Sequence, residues 1–158
     1  MKKAIYFDMD GTIADLYNVK CWLDLLRAEN ATPYKNAKPM LNMSMLARTL
    51  NRLTADGWTI NVVTWTSKNS STTYHEEVKI EKINWLKKHL KSVKFSEIVV
   101  ETYGKNKSEI VKNPDGILFD DEENNRKNWK GESFDEKKYF GKFEKTIDKL
   151  KKHVIIIM

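Results

Sequence analysis

The chain has 158 residues, enough for one domain with a proper core, and 32% of them are charged with both signs mixed, which excludes a disordered composition. Its net charge of +6 is scattered along the sequence, so no nucleic-acid-binding stripe is expected, while an anionic partner (a phosphorylated substrate or a nucleic-acid end) stays open. The single cysteine, Cys21, excludes an internal disulfide framework and fits a reducing cytosol, and no apolar stretch approaches membrane-spanning length.

Lys2-Lys3 before an apolar run resembles the start of a signal peptide, but Asp8 breaks the run too early for export, so a cytoplasmic location is expected. Residues 3–8 read as a first strand whose continuous apolar character requires cover on both faces, as in a parallel sheet. After a short connection over 12–18, the i, i+3, i+7 spacing of Val19, Trp22 and Leu26 predicts a helix to about Arg27, with Cys21 inside it, buried and inert. Residues 31–39, punctuated by Pro33 and Pro39, read as a loop. A second helix carries Met43, Leu46, Leu50 and Leu53 on one face and stops at Gly57.

Residues 58–64 form the second predicted strand, followed by a Ser/Thr/Asn-rich loop over 65–73. Thr73 with Glu76 has the form of a capping box, opening a helix with Ile83, Leu86 and Leu90 in phase. Residues 98–101 are the third strand, 107–112 a short helix ended by Asn113-Pro114, and 116–120 the fourth strand. A polar loop over 121–131 contains Trp129. Ser133 with Glu136 caps a last helix bearing Phe140, Phe143, Ile147 and Leu150, and the tail 154–158 is a fifth strand. Strands alternating with helices, without repeat or linker, predict a single domain over 1–158: a three-layer, Rossmann-like α/β fold with a mainly parallel sheet.

The carboxyl ends of the strands of such a sheet gather at one edge, where open α/β sheets bind ligands. Asp8 and Asp10 close the first strand, Thr64 the second, Lys105 and Lys107 follow the third, and Asp120-Asp121 close the fourth. Carboxylates crowded together raise one another's pKa unless a cation is present, and hard oxygen donors favour Mg²⁺. One aspartate can then attack a phosphoryl group to give an aspartyl-phosphate, while a second, two residues on, protonates the leaving oxygen and later activates water. Thr66 and Ser67 compete with Thr64 for the hydroxyl role, and Lys105 with Lys107 for the ammonium. Trp65 and Tyr17 are read either as core aromatics or as stacking surfaces for a base. His75, His89 and His153 have no metal-ligand spacing.

Asp8-Met9-Asp10-Gly11-Thr12 resembles the first motif of the haloacid dehalogenase (HAD) superfamily, and the resemblance runs the length of the chain. It implies Asp8 as nucleophile and Asp10 as general acid/base. Thr64 matches the second-motif hydroxyl, and Lys107, in Lys107-Ser108-Glu109-Ile110, the third-motif lysine. Asp120-Asp121 matches the fourth motif, with Asp121 a direct Mg²⁺ ligand and Asp120 near the metal's waters. An acid at position 10 is what the phosphatase branch carries. Phe119-Asp120-Asp121 is similar to the strand end of the 5′(3′)-deoxyribonucleotidase group, and the short segment 14–56 implies a minimal or absent cap. The expected function is a Mg²⁺-dependent phosphomonoesterase acting on a small phosphorylated metabolite such as a nucleotide, with Asp8, Asp10, Asp120 and Asp121 around the metal. A phosphatase acting on a nucleic-acid 3′-phosphate and a non-catalytic phospho-accepting domain are the alternatives.

Overall fold

The structure, a computed structural model, describes residues 3–135 of the chain. At its centre is β1 (Ala4–Phe7), every residue of which is buried. Ile5 and Phe7 face a core built with Leu46, Leu50, Leu53, Trp85 and Leu86, whereas Ala4 and Tyr6 face a second core with Val63, Leu118 and Trp129. That two-sided burial is the physical reason the strand reads as an unbroken apolar run.

β4 (Thr59–Thr66), β5 (Phe95–Thr102), β6 (Ile117–Phe119) and β7 (Ser133–Phe134) complete an all-parallel sheet in the order β5-β4-β1-β6-β7. α3 (Met43–Ala55) and α4 (Thr72–His89) cover the first face. Ile110, Val111 and Trp129 lie on the second, where Trp129 Nε1 donates to Gly116 O at 2.8 Å. The chain leaves β1 for β4 and β5 on one side and returns to β6 and β7 on the other. The order of strands therefore reverses beside β1, which opens a crevice at the carboxyl ends of β1 and β6.

Several boundaries differ from expectation. The segment 31–39 is not a plain loop but holds α2 (Thr32–Asn36) and β3 (Lys38–Pro39), which pairs antiparallel with β2 (Ala14–Asp15). Together with α1 (Trp22–Arg27) these elements form a small insert between β1 and α3. α4 begins at Thr72, not after Thr73: its N-cap is Ser71, whose hydroxyl accepts from Tyr74 N at 3.2 Å and donates to Glu29 of the insert at 2.6 Å. The expected 107–112 helix is a 3₁₀ turn over Lys107–Glu109. The polar 121–131 segment contains α5 (Glu123–Asn128), and Ser133, expected as a helix cap, is the first residue of β7. Cys21 precedes α1 and is exposed, so it is not the buried thiol the periodicity implied. The expected helix beyond residue 136 and the strand at 154–158 lie outside the described residues. Among those described, no helix is long and apolar enough to cross a membrane.

Candidate functional site

Beyond Phe7 the ladder continues for one step: Asp8 N donates to Phe119 O at 2.9 Å, which sets Asp8 beside the end of β6, where Asp120 follows. Lys107, at the start of the 3₁₀ turn after β5, reaches between them. Its Nζ is 2.9 Å from Asp8 Oδ1 and 2.7 Å from Asp120 Oδ2, and its side chain is only 2% exposed. Burial alone would favour the neutral amine, but the charges of Asp8 and Asp120 outweigh it and hold Lys107 above the ordinary lysine value. Asp120 is also raised above its usual range: burial and then the Asp8 charge push its carboxyl up, against the pull of Lys107. Asp120 is also tied down by Glu122 N at 2.8 Å and by Asn125 Nδ2 at 3.1 and 3.2 Å. Lys105 instead pairs with Glu101 at 3.1 Å on the surface, so Lys107 is the lysine that reaches the carboxylates.

Asp8, Asp120 and Asp121 each bring one oxygen to within 4.8 Å of the others, a group able to hold a metal ion. Gly11 makes this approach sterically possible. Its φ is +74°, and a Cβ there would lie 2.5 Å from Asp121 Oδ2 and 2.6 Å from the Tyr17 ring. Three carboxylates and no nitrogen or sulfur donor fit Mg²⁺ by their hardness.

Asp10, also expected around the metal, is not among the carboxylates whose oxygens gather within 4.8 Å. Its Oδ2 faces Lys82 Nζ at 2.5 Å, and the same ammonium donates to Thr64 Oγ1 at 2.8 Å. Lys82 Nζ also lies 5.0 Å from the centroid of the Tyr34 ring. Burial, only partly offset by Lys82, raises the Asp10 carboxyl above the usual carboxylate range. Lys82 was not expected in the site. Its signal is a lysine inside the buried stripe Tyr74, Val78, Lys82, Trp85 of α4, where a solvated lysine has no place.

A cleft of about 390 Å³ opens above these groups. Asp8, Asp10, Lys107, Glu122 and Asn125 line its polar side. Thr64 is fully buried and outside the lining; because β4 runs on to Thr66, the hydroxyls at the cleft belong to Thr66 and Ser67. Thr66 Oγ1 shares a hydrogen bond with His75 Nδ1 at 2.8 Å, whereas Ser67 Oγ is buried with no hydrogen-bonding partner among the described residues.

The apolar side comes from two places. The insert supplies Leu16, Tyr17, Trp22, Leu26 and Tyr34, with Tyr17 and Trp22 edge to face at 5.1 Å. The ends of β4 and β5 supply Trp65 and Tyr103, edge to face at 4.7 Å, with Trp65 Nε1 fixed on Lys105 O at 3.2 Å. Tyr17 and Trp65 are thus cleft aromatics, not core residues, and the insert is a small cover over the site. In comparisons with known proteins, no family model and no curated protein matches this chain.

Proposed function

We propose that this chain is a Mg²⁺-dependent phosphomonoesterase of the haloacid dehalogenase type, acting in the cytoplasm through an aspartyl-phosphate on a small phosphorylated metabolite such as a nucleotide. One observation carries the reading: two carboxylates two residues apart, Asp8 and Asp10, are held by two different buried lysines at the floor of one cleft. A site that only accepted a phosphoryl group would have no use for the second pair. Asp8, Asp120 and Asp121 face one lysine, Lys107, leaving two formal negative charges, the deficit one divalent cation removes, while Asp10 faces Lys82 apart from them.

Asp8, Asp121 and Asp120 are the residues that would hold Mg²⁺, which when bound supplies positive charge to the carboxylates and to phosphoryl oxygens. Lys107 orients Asp8 by gripping one of its oxygens. The other oxygen attacks phosphorus, forming the Asp8–phosphorus bond as the bond to the leaving oxygen breaks; protonated Asp10 gives that oxygen its proton. Water then attacks the aspartyl-phosphate, Asp10 takes the water's proton, and Asp8 leaves as the carboxylate while orthophosphate departs. The upward shift of Asp10 by burial supports its starting this cycle protonated. Among the cleft-lining residues, the unpartnered Ser67 hydroxyl and Lys107 are donors that can meet phosphoryl oxygens. Aromatic faces from the insert and from β4–β5 favour a planar leaving group, hence a nucleotide over a bare polymer end.

The test is a hydrolysis screen over nucleotides, sugar phosphates, an aryl phosphate and 3′-phosphorylated oligonucleotides, with Mg²⁺ and with excess chelator. Turnover is expected only with metal, strongest on nucleotides, and lost in Asp8→Asn; near-normal turnover by that variant refutes the mechanism.

A further inference from the structure

Position 82 is where the fold has put an ammonium that neither the nucleophile nor the substrate cleft needs. Its side chain is 1% exposed and is absent from the cleft lining, so it does not touch a ligand there. It comes from the middle of α4, an 18-residue helix capped by Ser71 and packed on the core. Asp10, by contrast, sits on the short stretch between β1 and β2, next to a glycine of positive φ, and no long element of its own fixes it. A carboxylate so placed has rotamer freedom unless something outside its loop holds it.

We infer that Lys82 is a positioning residue for proton transfer: supported by the Thr64 hydroxyl and the Tyr34 ring, it locks the Asp10 carboxylate onto α4 and aims its other oxygen into the cleft. The inference rests on the phosphatase reading above and deepens it. It also gives Thr64 a role, as the shelf under the lysine instead of a contact to the phosphoryl group. Tyr34 extends the same device to the insert, because it lines the cleft while packing beside the ammonium. The Asp10 oxygen that Lys82 holds, Oδ2, is thereby withdrawn from proton transfer, and Oδ1 remains for it. The residue's effect should appear only in steps that move a proton.

Lys82→Met tests this, since it keeps the stem and removes the charge. The loss in kcat is expected at about 10²-fold or more on an alkyl phosphate, whose leaving oxygen needs a proton, with KM changed less than about threefold. On p-nitrophenyl phosphate the first step should survive, so a burst of about one p-nitrophenolate per enzyme precedes slow turnover as aspartyl-phosphate accumulates. Equal losses on both substrates without a burst, or a change confined to KM, would overturn the inference.

If Lys82→Met fails to fold, the pair Asp10→Asn and Asp10→Asn/Lys82→Met decides, both charges being absent from the double variant. Lys82 acting through Asp10 adds less than about threefold to the single loss, while a full multiplicative loss refutes it. A crystal structure of Lys82→Met gives a reading independent of turnover: Asp10 should leave its rotamer while Asp8 and Lys107 stay, and an unmoved Asp10 sinks the idea. Failure of the phosphatase reading looks different, because the parent protein itself would then hydrolyse nothing.

Discussion

Replacing Lys107 by methionine is the sharpest perturbation of the site. The substitution keeps the length of the side chain and deletes its charge. Two carboxylates, Asp8 and Asp120, then face one another across the gap their shared ammonium filled, at 2.9 and 2.7 Å from where Nζ stood. Asp120 is fully buried, and its carboxyl is already raised by burial and by Asp8, so it has no water to turn to. Removing one partner of a buried pair costs about 3–5 kcal/mol. For a chain of this size that is a fall in Tm of about 6–20 °C.

The assay is thermal unfolding in excess chelator, beside Lys105→Met as control. Lys105 lies two positions earlier, 54% exposed and paired among the described residues with Glu101, and its loss is worth about 0–1 kcal/mol. Adding Mg²⁺ should close part of the Lys107→Met gap, because a cation then faces the same carboxylates. Asp120→Asn in the Lys107→Met background should recover stability as well. A Lys107→Met protein that melts in chelator within about 1 °C of the control, a difference worth under 1 kcal/mol, would refute the claim that this lysine balances the buried acids.

The same geometry makes two further tests. Gly11→Ala should cost about 1–3 kcal/mol in chemical denaturation, from a φ of +74° and a Cβ set 2.5 Å from Asp121 Oδ2, and should weaken the protection expected from the proposed Mg²⁺; unchanged protection would separate Gly11 from the three-carboxylate group. Alkaline titration should reveal the buried tyrosines: burial raises Tyr74 to about 12 and lifts Tyr6 and Tyr34 beyond it. Because these folded-state values exceed the unfolded one near 10, their contribution is fully present below about pH 10 and is lost as pH rises through 12. Phenolate absorbance should therefore lag and then rise together with loss of secondary structure. A smooth titration of every tyrosine near pH 10 in a folded chain would count against the packing described.

The strands nearest the centre were legible because burial writes itself into them. β1, β4 and β6 are largely apolar runs since both their faces are covered, and the acids that follow β1 and β6 are where the crevice lies. What was illegible is held by polar contacts that leave no period. α5 is Glu-Asn-Asn-Arg-Lys-Asn, with no apolar residue; it forms because Arg126 donates to the carbonyls of Asp120 and Asp121 at 2.8 and 2.7 Å and Asn125 binds the Asp120 carboxylate. β7 is two residues long, and Ser133 donates its hydroxyl back to Arg126 O at the end of α5, a partner that a cap pattern cannot reveal. Thr64 ends the apolar run of β4, but two more residues of the strand, Trp65 and Thr66, carry the chain on to the cleft.

Lys82 shows why a motif read along the chain finds only part of such a site. The residues named from sequence all sit at strand ends or just beyond them, where the backbone itself delivers them to one edge. Lys82 arrives sideways, from a helix, through a side chain long enough to cross from the core to that edge. Its cost is a buried ammonium, tolerable only because Asp10, Thr64 and Tyr34 surround it. A buried lysine in an apolar stripe of an α/β crossover helix therefore points to an acid at the adjacent strand end, and here the acid it finds is Asp10 rather than Asp8. The two lysines divide the site between them: Lys107 fixes the carboxylate proposed to attack, and Lys82 the one proposed to carry the proton. Because they come from different elements, one from the β5–β6 connection and the other from α4, removing either is expected to leave the other's partner in place, which is what makes the two roles separable by experiment.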